Sequence, residues 1–132
     1  MRLFCYGTLQ FPVLMARISG IAPRARPAVL EDYGCYTLAG AVYPGIRPEQ
    51  GAQTSGVIYD GIDARGLARL DRFEGDEYVR QRVQVRTADA RRQQAWVYVT
   101  HPRVRACLSD IPWDRARFER RHLATWLHGI AP

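Results

Sequence analysis

Apolar and polar residues alternate in short runs along the first hundred positions of the chain, with helical spacing between and after them. Arg2 to Tyr6 alternates and is short. Tyr36 to Val42 is bounded by glycines and ends at Tyr43-Pro44-Gly45, a turn signal, and Thr54 to Tyr59 reads as a further strand. Tyr78 to Arg86 alternates most cleanly: Tyr78, Arg80, Arg82, Gln84 and Arg86 fall on one side, Val79, Val83 and Val85 on the other. Ala95 to Thr100 completes the set. These β-branched and aromatic runs, spaced by turns, predict a mostly antiparallel sheet or barrel.

Two segments read as helix. Between Asp63 and Glu74, Leu67, Leu70 and Phe73 recur at a helical interval. Asp63 is placed to cap the exposed amides at the start, and Gly75 to close the end in a left-handed conformation. Near the C-terminus, Asp110-Ile111-Pro112 reads as a helix start, and Trp113 to Leu127 sets Ala116, Leu123, Trp126 and Leu127 against arginines on the other faces. Pro23 to Pro27, with Arg24 and Arg26, reads as an exposed loop. No repeat or low-complexity segment interrupts the chain, and its 132 residues predict one domain over residues 1–132.

The charge balance changes this picture little. The formal net charge is +6 and all 19 basic side chains are arginine, scattered from Arg2 to Arg121 rather than gathered on one face. A solvated surface accounts for that better than a nucleic-acid footprint, so nucleic acid is not an expected partner. The arginine fork keeps acidic small molecules in view. Cys5, Cys35 and Cys107 are odd in number and far apart, which writes neither a disulfide framework nor a CxxC motif and fits a reducing cytosol. With no signal-like start and no apolar run near the ~20 residues of a membrane span, the expected setting is soluble and cytoplasmic, without a membrane partner. His101, His122 and His128 lack paired-ligand spacing and no cysteine lies near them, so no metal is expected.

Two stretches remain as candidates for chemistry. Tyr6-Gly7-Thr8-Leu9 is a strand running straight into a glycine turn, a geometry that aims consecutive backbone N–H groups at one anion. An ordinary turn has the same sequence. The second stretch, Leu70 to Arg80, carries four acids. Asp71 has the setting of a solvated face or cap, and Asp76 and Glu77 fall in the turn before a strand. Glu74 is different: it holds the last helical position, where the negative end of the helix dipole disfavours ionisation, and burial beside Phe73 or Tyr78 pushes its pKa the same way. A carboxyl tuned upward suits proton exchange near neutral pH, although spacing alone reads equally well as a surface acid.

Taken together and in order, Tyr6-Gly7-Thr8-Leu9, Tyr43-Pro44-Gly45, Gly56-Val57-Ile58-Tyr59, Leu70-Asp71-Arg72-Phe73-Glu74-Gly75 followed by Tyr78-Val79-Arg80, and Trp96-Val97-Tyr98-Val99 resemble the γ-glutamylcyclotransferase-like superfamily, with its AIG2-like and γ-glutamylamine cyclotransferase branches. The resemblance spans most of the chain. It implies an α+β fold, a small mixed and mostly antiparallel β-barrel flanked by helices, with a pocket between the Tyr6 to Leu9 loop and the glutamate. It implies Glu74 as catalytic acid/base, and Tyr6, Gly7, Thr8 and Leu9 as the loop that binds the substrate's polar end through main-chain groups. Tyr78 and Tyr98 match pocket tyrosines, Tyr43 a pocket wall, and Arg80 either faces the pocket or supports it. The implied reaction is an acyl-transfer cyclisation of a γ-glutamyl amine or peptide to 5-oxoproline, needing neither metal nor cofactor. A non-catalytic module that binds an amino-acid-like molecule is the alternative within the same fold. The pocket for the leaving amine is expected among loops near Ile46 to Thr54. Oligomeric state is left open.

Overall fold

The computed structural model of the chain describes residues 1–129. Six strands, β1 (Leu3–Cys5), β2 (Ala25–Leu38), β3 (Pro44–Tyr59), β4 (Tyr78–Thr87), β5 (Arg92–Thr100) and β6 (Leu108–Pro112), form one sheet in the order β3-β1-β5-β4-β2-β6. Since β2 also pairs with β3, the first five close on themselves as a barrel and β6 extends the outer edge of β2. Only β1 and β5 run parallel; the other pairs are antiparallel. Helices α1 (Pro12–Ser19), α2 (Ala64–Glu74), α3 (Arg115–Arg121) and α4 (Leu123–Gly129) pack outside. The α+β barrel is therefore as expected.

Period-two alternation sorts the side chains. Phe4, Ile58, Val85, Val97 and Val99 fill the barrel, whereas their neighbours Leu3, Cys5, Tyr59 and Tyr98 point outward and pack with Met15 of α1 and Leu67 and Leu70 of α2. A third cluster, Phe11, Leu14 and Phe118, holds α3 and α4 with help from Trp113 and Trp126. β1 is thus sandwiched on both faces, and its chain exit is fixed in position.

Four local expectations are corrected. Pro23 to Pro27 is not a free loop: β2 begins at Ala25, and Pro27 pairs with Val57. The strand placed at Tyr36 to Val42 is the end of this longer β2, which stops at Leu38. Ile46 to Thr54 is not loop but the first part of β3, paired with β2 through Thr54; residues 47–53 are half-buried or exposed on the hairpin arm, which hid its strand character. Asp110 to Pro112 is strand, paired at Pro112 with Tyr36, so the C-terminal helix starts at its Asp114 cap and breaks at His122 into α3 and α4. α1, unforeseen, begins with Pro12 at its first turn and ends at Gly20. The capped helix 64–74 is as expected, with Asp63 Oδ1 accepting from the Gly66 N–H at 2.7 Å, but Gly75 ends it at φ 65°, ψ −153°, a positive-φ extended conformation and not the left-handed helical one expected.

Candidate functional site

Where β1 leaves the sheet, the chain turns through Gly7 into a short 3-10 turn over Thr8–Gln10. Both ends of this turn are clamped. The Gln10 Nε2 donates to the Tyr6 carbonyl and the Tyr59 hydroxyl to the Leu9 carbonyl, each at 2.6 Å, and the Gln10 N–H closes on the Gly7 carbonyl at 3.0 Å. The N–H groups of Gly7, Thr8 and Leu9 meet no acceptor among the described residues. Three consecutive donors left open at one turn are able to form an anion-binding concavity. Gly7 has no room for a side chain, since a Cβ there would stand 2.9 Å from Pro44 Cγ.

Facing this turn is a cavity of about 190 Å³. Its lining includes all eight residues singled out in the sequence: Tyr6, Gly7, Thr8, Leu9, Tyr43, Glu74, Tyr78 and Tyr98. Distant segments meet because α2 delivers its last residue, Glu74, to the mouth of the barrel beside the end of β1. The β2–β3 turn carries Tyr43 to the same rim, while β4 and β5 supply Tyr78 and Tyr98.

Glu74 carries no hydrogen bond or ion pair among the described residues, and its carboxyl is pushed up to about 8. Burial is the first cause, because the charged form loses water; the Glu77 and Asp71 carboxylates follow by repulsion. The sequence reasoning reached the same direction through the helix dipole, with burial as a second push. The tyrosines are held by their hydroxyls: Tyr6 donates to the Tyr98 carbonyl at 2.6 Å, Tyr78 to the Pro44 carbonyl at 2.6 Å, and Tyr98 to Asp71 Oδ1 at 2.7 Å. Burial raises the pKa of each, so they remain neutral donors and walls rather than proton acceptors.

Two acids were read too blandly in the sequence. Asp71 is no solvated cap: it pairs with Arg80 through Nε at 2.8 Å and Nη2 at 3.2 Å and also receives Tyr98. Arg80, stacked 4.3 Å from the Trp96 ring centroid, therefore supports the pocket from behind without lining it. Glu77 lines the cavity and accepts from the Tyr43 hydroxyl at 3.0 and 3.3 Å. Phe73 and Trp126 were missed as lining residues. Trp126 comes from α4, far along the chain, and meets Tyr43 and Phe73 edge-on at 5.9 and 6.3 Å between centroids. Only the apolar stripe of that helix hinted at it. The Ile46 to Thr54 segment, expected near the leaving amine, contributes nothing to this lining.

Among the described residues, no group of three or more His, Cys, Asp or Glu side chains is placed to hold a metal ion, and no helix is long and apolar enough to cross a membrane. The arrangement supplies an unpaired carboxyl of raised pKa, open backbone donors and rigid aromatic walls. Such equipment is chemically able to move a proton and to hold an anion.

The chain is similar over most of its length to known proteins. The family described as "Gamma-glutamyl cyclotransferase, AIG2-like" matches residues 3–115. Protein AIG2 B of Arabidopsis thaliana is 32% identical over 121 residues, 91% of this chain and 71% of its own. A second Arabidopsis protein, solved in solution, is 26% identical with a TM-score of 0.72, covering 97% of this chain and 78% of that one. A solved γ-glutamyl cyclotransferase superposes with a TM-score of 0.67 at 18% identity, over 76% of this chain and 66% of that one, a likeness of fold.

Proposed function

The chain belongs to the AIG2-like γ-glutamyl cyclotransferase family, and from that premise we propose that it cyclises a γ-glutamyl amine or peptide, releasing 5-oxoproline and an amine, with Glu74 as the group that moves protons. The family supports cyclotransferase-type activity; the substrate class and the role of Glu74 are our reading. The observation that carries it is the unpaired Glu74 carboxyl, at about 8, in one cavity with the open amides of Gly7, Thr8 and Leu9.

A γ-glutamyl compound brings its own nucleophile, the α-amine, which closes a five-membered ring on the γ-carbonyl. The site has therefore to fold the substrate and manage protons. The loop amides receive the α-carboxylate, and Tyr6, Tyr43, Tyr78 and Tyr98 wall the chain into a curled conformation. Near-attack positioning of this kind is worth up to roughly 7–11 kcal/mol in favourable intramolecular reactions.

Glu74, ionised, takes a proton from the α-ammonium and frees its lone pair. The amine attacks the γ-carbonyl carbon, a C–N bond forms, and the carbonyl electrons move onto oxygen. As the tetrahedral adduct collapses, the bond to the departing nitrogen breaks and that nitrogen takes the proton Glu74 holds. The surplus proton on the ring nitrogen passes to the regenerated carboxylate and leaves with the product amine as ammonium. An ordinary α-amino group titrates at about 8, close to Glu74, so the first transfer is near balance in either direction. Proton transfer by a matched group contributes about 10²–10⁴-fold.

Incubating the protein with a panel of γ-glutamyl amines and dipeptides and assaying 5-oxoproline by chromatography tests the reading. Release from at least one member is expected. A protein that is thermally stabilised by the panel yet forms no 5-oxoproline would instead be a binding module of the same fold.

A further inference from the structure

Glu74 stands among other acids, and the cation that offsets them lies outside the cavity. Asp71 and Glu74 are three residues apart on α2, so their carboxyls share one face of the helix, and Glu77 follows in the next turn at the cavity wall. Cys5 and Tyr6 approach from β1, Tyr43 from the β2–β3 turn, Tyr78 from β4 and Tyr98 from β5. Burial raises the pKa of each of these thiol and phenol groups, so none is charged while Glu74 titrates. The charges bearing on Glu74 are therefore Asp71, Glu77 and any cation that reaches them. The chain holds 19 arginines, yet the cavity lining contains no arginine and no histidine. Glu77 accepts only from the Tyr43 hydroxyl, and no ion pair reaches it among the described residues. Asp71 has Arg80.

Arg80 is fixed from two sides. Its Nε and Nη2 meet Oδ1 and Oδ2 of Asp71 separately, at 2.8 and 3.2 Å, the two-point geometry of a guanidinium on a carboxylate. The guanidinium also lies 4.3 Å from the Trp96 ring centroid, and the side chain is only 26% exposed. A cation held this way keeps its field, whereas a solvated one is screened. The same Asp71 Oδ1 accepts from the Tyr98 hydroxyl, which ties the ion pair to a wall of the cavity.

We propose that Arg80 is a positioning residue of the site: its guanidinium, anchored on Asp71 one helical turn before Glu74, supplies the counter-charge that keeps Glu74 able to exchange a proton near neutral pH. Without it, the Asp71 and Glu77 carboxylates would act on Glu74 unopposed, and the ionised form that accepts the ammonium proton would be scarce. This inference rests on reading Glu74 as the group that moves protons. A purely structural role for Arg80 would loosen the site without moving the Glu74 titration in a direction set by charge.

Titration of the Glu74 carboxyl by 13C NMR, in protein labelled at glutamate and assigned against Glu74→Gln, reads the effect with no substrate present. Arg80→Gln leaves the acids unopposed and should raise the Glu74 titration by about half a pH unit; Asp71→Asn removes an acid, keeps the cation and should lower it by about one unit. The double variant strands neither charge, so it keeps the comparison available if Arg80→Gln does not fold. It should titrate about half a unit above Asp71→Asn. The rising limb of kcat/KM for 5-oxoproline release should move with the carboxyl, which at pH 7 is a loss of about threefold in Arg80→Gln. If Glu74 moves in opposite directions in the two single variants while no γ-glutamyl conjugate yields 5-oxoproline, the counter-charge stands and the cyclisation does not. A Glu74 titration that moves the same way in both single variants, that stays within about 0.2 unit of the wild type in both, or that is equal in Asp71→Asn and the double variant would overturn the proposal.

Discussion

Replacing Glu74 by glutamine keeps the shape of the side chain and removes its titration, and the consequence for stability follows from the structure. In the folded protein this carboxyl is pushed up to about 8, against an ordinary value of 4.5 in the unfolded chain. Between those two values the folded state keeps a proton that the unfolded state has released. Stability from this group is fully present below pH 4.5 and is lost as pH rises towards 8, at up to about 1.36 kcal/mol per pH unit. Over the whole interval that is about 5 kcal/mol at the limit, and about 3.5 kcal/mol between pH 5 and pH 8 once partial titration at both ends is included. Glutamine carries no such penalty. Urea unfolding of wild type and Glu74→Gln at pH 5 and pH 8 should therefore show the variant gaining on the wild type by about 3.5 kcal/mol at the higher pH, the other titrating groups cancelling in the difference. A gap between the two proteins that is the same at both pH values, within about 0.5 kcal/mol, would show that Glu74 titrates ordinarily, and the argument for its proton chemistry would fall with it. Gaining stability by removing a site carboxyl is the usual trade at an active centre.

Other outcomes follow from the same geometry. kcat/KM of the wild type should rise with pH towards about 8, as the carboxylate form of Glu74 becomes populated, and fall again as the substrate's α-ammonium, which titrates at about 8, loses the proton the reaction needs; removing the neighbouring charge in Glu77→Gln should move the rising limb to lower pH, read from the pH–rate profile. Gly7→Ala would press a Cβ against Pro44 Cγ, 2.9 Å away, and should lower kcat/KM at least tenfold by tilting the donor turn, while unfolding free energy drops by about 1–3 kcal/mol. Asp71→Ala strands the Arg80 guanidinium and the Tyr98 hydroxyl and should cost about 1–3 kcal/mol in urea unfolding. Asp63→Ala removes the cap on the Gly66 N–H and should cost about 1 kcal/mol with kcat unchanged, a control for effects transmitted through helix α2.

The two halves of the site were legible because each is local. A strand ending in Gly7 and a helix ending at Glu74 before Gly75 announce themselves by turn and cap chemistry, and their joint order with the tyrosine motifs gave the resemblance that links them. Asp71 escaped because one neighbour on each side in sequence says nothing about Arg80, which reaches it from β4, or Tyr98 from β5. Trp126 escaped for the same reason at greater range: its contacts with Tyr43 and Phe73 exist only once α4 has packed on the barrel. The β2–β3 arm was undercounted because strands with solvent on both faces, such as Glu49 to Gln53, show no alternation for a pattern to find. α1 was missed because it is only eight residues long, too short for helical periodicity to separate it from an apolar run.

The central claim is that Glu74 moves the proton that lets a γ-glutamyl amine close on itself. The most direct measurement is the rate of 5-oxoproline formation from the best γ-glutamyl conjugate, wild type beside Glu74→Gln, at pH 8 with both proteins saturated. A fall of about 10²–10⁴-fold in the variant is expected; equal rates in the two would contradict the account.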